Sequence, residues 1–171
     1  ERVGQGTVEQ ARELWRLDPN CPVVLIIGGS SGSSALNKWV WEQINRLARL
    51  SNVIHVTGAG QVNNAARQER YHQVEFLDRN LAPALAAADV VVSRAGISML
   101  SELAYLGKPA IVIPMPGTHQ EDNGFYFVSE RAAVLFRQDQ LDERVAEKIA
   151  QLLTSPQDRN LLVERIREIM K

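Results

Sequence analysis

Two glycine-centred segments hold the residues whose types and spacing suit chemistry. The first, Gly28-Gly29-Ser30-Ser31-Gly32-Ser33, follows the apolar run Val23–Ile27 and runs straight into a helical pattern. A tight turn at a helix N-terminus leaves backbone N–H groups free, and the helix dipole favours negative charge there. Serine hydroxyls add donors, so a phosphate is the expected guest. The second, Ser93-Arg94-Ala95-Gly96-Ile97-Ser98-Met99-Leu100-Ser101-Glu102, again runs strand, glycine, helix. Two such N-termini on one sheet edge would grip a diphosphate from two sides. Glu102 falls about two turns into the second helix, where a carboxylate can accept hydrogen bonds from both vicinal hydroxyls of a sugar.

Other phosphate chemistries fit less well. The first turn lacks G-x-G-x-x-G, and the second strand ends in Thr57-Gly58, where a dinucleotide site places an acidic residue for the ribose. No Gly-Lys-Ser/Thr of a P-loop occurs. His55, His72 and His119 are scattered and share no metal-ligand spacing with Cys21, and no Asp-x-Asp motif is present. No metal is expected. Arg94 is open between neutralising a phosphate and forming a structural ion pair.

The elements that must position these residues alternate along the chain. Thr7-Val8-Glu9-Gln10 reads as a capping box opening a helix through about Leu17. Strands are expected at Val23–Ile27, Val53–Thr57, Val74–Phe76, Asp89–Ser93, Ala110–Ile113 and Val134–Phe136. Between them the apolar spacing predicts helices to about Leu50 (Leu36, Val40, Ile44, Leu47), over Leu81–Ala88, from Gly96 to Leu106 with Gly107 as the stop, and from near His119. Gln61–Tyr71 reads as a loop or frayed helix. Two helices close the chain, one carrying Leu141, Val145, Ile149 and Leu152, the other opening at Ser155-Pro156. Apolar rather than alternating strands, interleaved with helices, imply an α/β domain: a doubly wound parallel sheet of about six strands, Rossmann-like, with ligands outside the carboxyl ends of the strands. Trp39 and Trp41, two apart on a helix, face different sides, so one is core and the other at most half-buried.

The bulk numbers agree. The chain has 171 residues, 45% hydrophobic and 23% charged, with formal net charge −1. That is one soluble-type domain and argues against a dedicated nucleic-acid partner. No apolar run approaches the roughly 20 residues that span a bilayer. The single Cys21 excludes an internal disulfide, fits a reducing compartment and is expected to be inert. Glu1 begins a polar segment rather than a signal peptide, and a start without Met suggests that an upstream segment has been removed.

Gly28-Gly29-Ser30-Ser31-Gly32, then Glu75-Phe76-Leu77, then Asp89–Gly96, then Ser101-Glu102, then His119-Gln120 with Asn123, resemble in order the MurG family. Its members are bacterial transferases adding N-acetylglucosamine to the lipid-linked peptidoglycan precursor. The resemblance runs from about Thr7 to the end and covers only the family's C-terminal half, the nucleotide-sugar half of a GT-B fold. It implies a UDP-N-acetylglucosamine (or UDP) ligand and an inverting, metal-independent transfer with no cofactor. A partner N-terminal domain would supply the lipid-acceptor site and the general base, and the full-length protein would lie on the cytoplasmic face of the membrane. It further implies that Gly29 and Ser30 contact the diphosphate and that Leu77 offers its backbone to the uracil edge beside Phe76. Gly96, Ile97, Ser98, Met99 and Leu100 bind the other side of the diphosphate, and Glu102 holds the ribose hydroxyls. Gln120, with His119, reaches the transferred sugar, and Asn123 steadies the start of its helix.

There are departures from the family. Met99 stands where Thr is frequent, the Pro114–Thr118 loop is a few residues shorter, and Gly124 replaces a common Ala, a change expected to be minor. Two other readings keep the fold. A UDP-N-acetylglucosamine 2-epimerase would draw acid/base groups from His119 with Glu121 or Asp122. A non-catalytic donor-binding subunit of a two-chain transferase would need no base at all.

Overall fold

The alternating apolar runs become six strands flanked by helices in the computed structural model, which describes residues 6–171. The polar start expected at Glu1 lies outside the described residues. The chain divides into two compact units, Glu1–Asp89 and Val90–Lys171.

In the first unit, α1 (Val8–Trp15) leads to β1 (Val23–Ile27), α2 (Ser34–Leu50), β2 (Asn52–Val56), β3 (Tyr71–Val74) and α3 (Leu81–Ala87), with a short 3-10 turn at Asp78–Asn80. The strands order β3-β2-β1, paired parallel from Val23 opposite Asn52 to Ile27 opposite Val56, and from Val53 opposite Tyr71 to Val56 opposite Val74. Every residue of β1 and β2 is buried, and each fully buried Val, Leu or Ile contributes about 1.5–3 kcal/mol. Helix α2 buries Leu36, Val40, Ile44 and Leu47 as its spacing requires; Trp39 joins them, and Trp41 is half-buried. The expected capping box is formed: Gln10 N–H donates to Thr7 Oγ1 at 3.2 Å and Thr7 N–H to Gln10 Oε1 at 2.9 Å. Cys21 Sγ donates to Asp18 Oδ2 at 3.4 Å, and burial pushes the thiol's pKa up.

The third strand lies earlier than its apolar residues suggest, at Tyr71–Val74 instead of Val74–Phe76. Its Gln73 is satisfied where it stands. The Gln73 amide accepts from Trp41 Nε1 at 3.2 Å and from Asn63 N–H at 3.0 Å, and donates to the carbonyls of Asn63 and Ala66. These bonds also hold residues 61–70 as an ordered loop, with no helix.

In the second unit, β4 (Val90–Ser93), α4 (Ile97–Leu106), β5 (Ala110–Val112), α5 (His119–Ser129), β6 (Val134–Leu135), α6 (Glu143–Thr154) and α7 (Pro156–Glu168) follow in turn. The strands order β4-β5-β6, again parallel. Gly107 ends α4 in the left-handed conformation at φ 64°, the stop expected of it. Leu141 is not on α6: a 3-10 turn at Gln138–Gln140 precedes it, and Asp142 caps the helix, so the apolar spacing runs one turn beyond the helix itself. Among the described residues no helix is long and apolar enough to cross a membrane.

Candidate functional site

In the first unit, the β1–α2 turn is held by close backbone approaches. A Cβ on Gly28 would lie 2.8 Å from Ser33 N, and one on Gly32 would lie 2.4 Å from the Thr57 carbonyl oxygen. Gly29 and Gly32 have φ of 95° and 74°, where side chains are strained. Gly32 N–H closes the turn onto Gly29 C=O at 3.2 Å, and Ser33 caps α2 by accepting from Leu36 N–H at 3.2 Å. Gly29, Ser30 and Ser31 face solvent. Gly28-Gly29-Ser30-Ser31-Gly32 also spells G-x-S-x-G, the spacing of a hydrolase nucleophile. Among the described residues Ser30 has no hydrogen bond to a histidine, and His55 is buried between Tyr71 and Asn37, so no triad forms.

Also in this unit, Leu77 is buried with its N–H unengaged among the described residues, while its carbonyl accepts from Asn80 N–H at 2.7 Å. Phe76 beside it is 48% exposed. Asp78 follows with φ 45°, a left-handed non-glycine residue that turns the chain sharply after Leu77.

In the second unit, α4 begins differently. Its N-cap is Gly96, which offers no side chain, and the first helical bond is Leu100 N–H to Gly96 C=O at 3.0 Å. The N–H groups of Ile97, Ser98 and Met99 are thereby left without a side-chain cap. Ile97 and Ser98 are exposed and Met99 half-buried. Leu100 is fully buried and its N–H is used, so packing is what it offers here. Ser98 and Glu102, four apart, share one stripe of α4, away from the buried Leu103 and Ala104. Glu102 is half-buried as a residue, and its carboxylate makes no hydrogen bond or ion pair among the described residues.

Helix α5 supports this turn. Asn123 Nδ2 donates to Ala95 C=O at 3.1 Å, so it braces the β4–α4 turn rather than the start of its own helix, which Thr118 caps. Gln120 lies three residues earlier on the same face. Its Oε1 accepts from Met115 N–H at 3.0 Å, leaving its amide N–H groups without a protein partner among the described residues. Glu121 accepts from Gly117 N–H at 3.1 Å, and Thr118 Oγ1 donates to Met115 C=O at 2.8 Å. The shortened loop is thus folded against α5 by α5's own first turn. His119 is exposed. Gly124 is less free than expected: an alanine Cβ would lie 2.8 Å from Leu135 Cδ1 and 2.9 Å from Pro114 Cγ.

Arg94 turns to neutral acceptors. It is buried, donating from Nη1 to the carbonyls of Ile113 and Pro114 at 3.1 and 3.3 Å and from Nη2 to Gln138 Oε1 at 2.6 Å. It ties the ends of β4 and β5 to the turn after β6, and burial lowers its pKa. Among the described residues no group of three or more His, Cys, Asp or Glu is placed to hold a metal ion.

Residues 23–168 match the family described as the glycosyltransferase family 28 C-terminal domain. A Bacillus cereus protein named UDP-N-acetylglucosamine--N-acetylmuramyl-(pentapeptide) pyrophosphoryl-undecaprenol N-acetylglucosamine transferase 3 is 34% identical over 143 residues, covering 81% of this chain and 40% of that protein. The crystal structure of Acinetobacter baumannii MurG superposes with a TM-score of 0.72 at 25% identity, over 97% of this chain and 49% of that one. The C-terminal CMP-Kdo binding domain of WaaA from Acinetobacter baumannii matches with a TM-score of 0.66 at 17% identity over 96% of both chains, a likeness of fold alone. The chain spans about two fifths of the length of the curated relatives it matches.

Proposed function

The chain belongs to the glycosyltransferase family 28 C-terminal domain family, and we propose that it binds the donor UDP-N-acetylglucosamine for transfer of the sugar to a lipid-linked acceptor. The observation that carries this reading is α4. Its first N–H groups have no side-chain cap, and one stripe of the same helix presents the carboxylate of a half-buried residue, Glu102, with no protein partner among the described residues. Free N–H donors at a helix start suit a diphosphate, and a carboxylate suits the two hydroxyls of a ribose.

In the proposed reaction an acceptor hydroxyl attacks the anomeric carbon. The bond to the diphosphate oxygen breaks, and UDP leaves with the electron pair. Ile97, Ser98 and Met99 N–H groups stabilise the growing negative charge, a fixed electrostatic contribution that needs no metal. Gly29 and Ser30 are proposed as further diphosphate contacts, Leu77 N–H as a uracil contact beside Phe76, and the Gln120 amide with His119 as contacts to the sugar. Attack from the face opposite the leaving group inverts the anomeric centre. The base that takes the acceptor's proton is proposed to come from an N-terminal domain, as is the surface that meets the membrane on its cytoplasmic face. The 2-epimerase reading would draw on His119 with Glu121, whose carboxylate accepts from the Gly117 N–H, or Asp122, which is exposed, and release of a 2-epimer from UDP-N-acetylglucosamine without an acceptor would favour it.

Calorimetry with UDP, UDP-N-acetylglucosamine, UDP-glucose and NAD tests the proposal. Binding of the uridine compounds is expected, and so is its loss in Glu102→Ala. Binding of NAD with none of UDP overturns it.

A further inference from the structure

Behind the β1–α2 turn, four polar side chains form one directed chain of hydrogen bonds. Tyr71 OH lies 2.7 Å from His55 Nδ1, and His55 Nε2 lies 2.8 Å from Asn37 Oδ1. Asn37 Nδ2 donates to Thr57 C=O at 2.9 Å and to Gln61 Oε1 at 3.1 Å, and Gln61 Nε2 donates to Ser31 C=O at 3.2 Å. The directions are mutually consistent. Both amide hydrogens of Asn37 are engaged, so its oxygen accepts, His55 carries its proton on Nε2, and Nδ1 accepts from the Tyr71 hydroxyl. His55 is fully buried and Asn37 1% exposed, between the half-buried Trp41 ring and the stacked Tyr71 ring. A buried network with every member satisfied holds its members rigidly. It ends on two carbonyls of the glycine turn's surroundings: that of Ser31, and that of Thr57, against which Gly32 is packed too closely for any side chain.

We propose that Tyr71, His55, Asn37 and Gln61 are positioning residues that fix the orientation of the Gly29–Ser33 turn and so aim its backbone N–H groups and Ser30 at an incoming diphosphate. The phosphate half of this statement rests on the donor-binding reading above; the turn-fixing half does not. Gln61 is the end of the chain nearest solvent, so Gln61→Ala and Gln61→Glu cut the last donor without opening the core. Tyr71→Phe cuts the first link and removes one buried oxygen.

The test uses the chain as it stands, with three readouts. Long-range ¹⁵N correlation spectra of wild-type protein near neutral pH are expected to show His55 protonated on Nε2 and bare on Nδ1. Amide hydrogen exchange in Gly29–Ser33 is expected to accelerate in all three variants, with β1 and the second half of α2 unchanged. UDP affinity is expected to fall roughly three- to tenfold, the effect of losing one neutral hydrogen bond, while uridine affinity stays within about twofold. Unchanged exchange in the turn, or the opposite tautomer, overturns the relay. Accelerated exchange with unaltered UDP affinity overturns its link to phosphate. Wild-type protein that binds no UDP removes the donor reading, and the exchange data still decide whether the relay holds the turn.

Discussion

The β1–α2 and β4–α4 turns share a plan of strand, glycine and helix, yet they satisfy their helices in opposite ways. The first is closed by the protein itself. Ser33 caps the helix, Gly32 packs on the Thr57 carbonyl, and a buried polar chain reaches Ser31 from behind. The second is open. Gly96 brings no cap, a Cβ there would meet nothing within 4 Å, and the turn is braced from outside by Asn123 on the Ala95 carbonyl and by Gln138 on Arg94. Side chains cap α1, α2, α5, α6 and α7, so the bare start of α4 departs from the practice of most helices in this chain. A closed turn presents a preformed shape; an open one leaves its donors for a ligand. The two lose different things when altered.

The largest expected effect is on the closed turn. Gly32→Ala combines a φ of 74° with a methyl 2.4 Å from a backbone oxygen and is expected to cost about 3 kcal/mol or more of stability. Gly96→Ala, at φ −68° in open space, is expected to cost less than about 0.5 kcal/mol. Urea unfolding of the two variants measures this, and equal losses would erase the distinction.

The relay behind the closed turn is also expected to make stability depend on pH. Burial depresses the His55 pKa from 6.5 to about 4. Above pH 6.5 the residue is neutral both folded and unfolded and adds no pH dependence. As pH falls from 6.5 towards 4 only the unfolded chain takes the proton, so stability declines by about 1.4 kcal/mol per unit, about 3 kcal/mol in all, and then levels. Burial lowers His72 as well, which acts in the same direction. The difference between wild type and His55→Gln isolates the His55 share, and parallel curves through this window would refute it.

At the open turn the readout is binding. Glu102→Ala is expected to weaken UDP by about 1.5–3 kcal/mol, the range for hydrogen bonds to a charged acceptor, with the unfolding midpoint little changed. Unaltered affinity in calorimetry would take Glu102 out of the site. The smallest effect sharpens the contrast most: Gly96→Ser supplies the missing cap and is expected to stabilise by a few tenths of a kcal/mol while weakening UDP. A serine there that stabilises without touching UDP affinity would mean that the bare N-terminus is not where phosphate sits.

Most of the elements were legible because their signals are local. The apolar run Val23–Ile27, the Thr7–Gln10 box and the Gly107 stop each act within a few residues of themselves. Strand β3 was displaced in the sequence reading because His72 and Gln73 are polar. Gln73 is accommodated there by partners such as Trp41, 32 residues away along the chain. The same holds at the site. Glycines and serines announced two helix starts, and a serine can cap where a glycine cannot, but the letters alone do not say which residue of each turn takes the N-cap position, Ser33 in one and Gly96 in the other.

By itself the sequence determined the α/β alternation, the two glycine turns and the family resemblance, since periodicity, capping chemistry and motif order are properties of the chain alone. Tertiary structure decided what the isolated polar residues do. His55 has no neighbour in sequence that assigns it a role; its partners Tyr71 and Asn37 stand 16 and 18 residues away. Arg94 reads as a phosphate or carboxylate partner, and only the tertiary structure shows that the Ile113 and Pro114 carbonyls stand at its guanidinium. The reason is physical. A hydrogen bond needs its partner within about 3 Å and in line, and for residues far apart in the chain only strand register and helix docking set that distance.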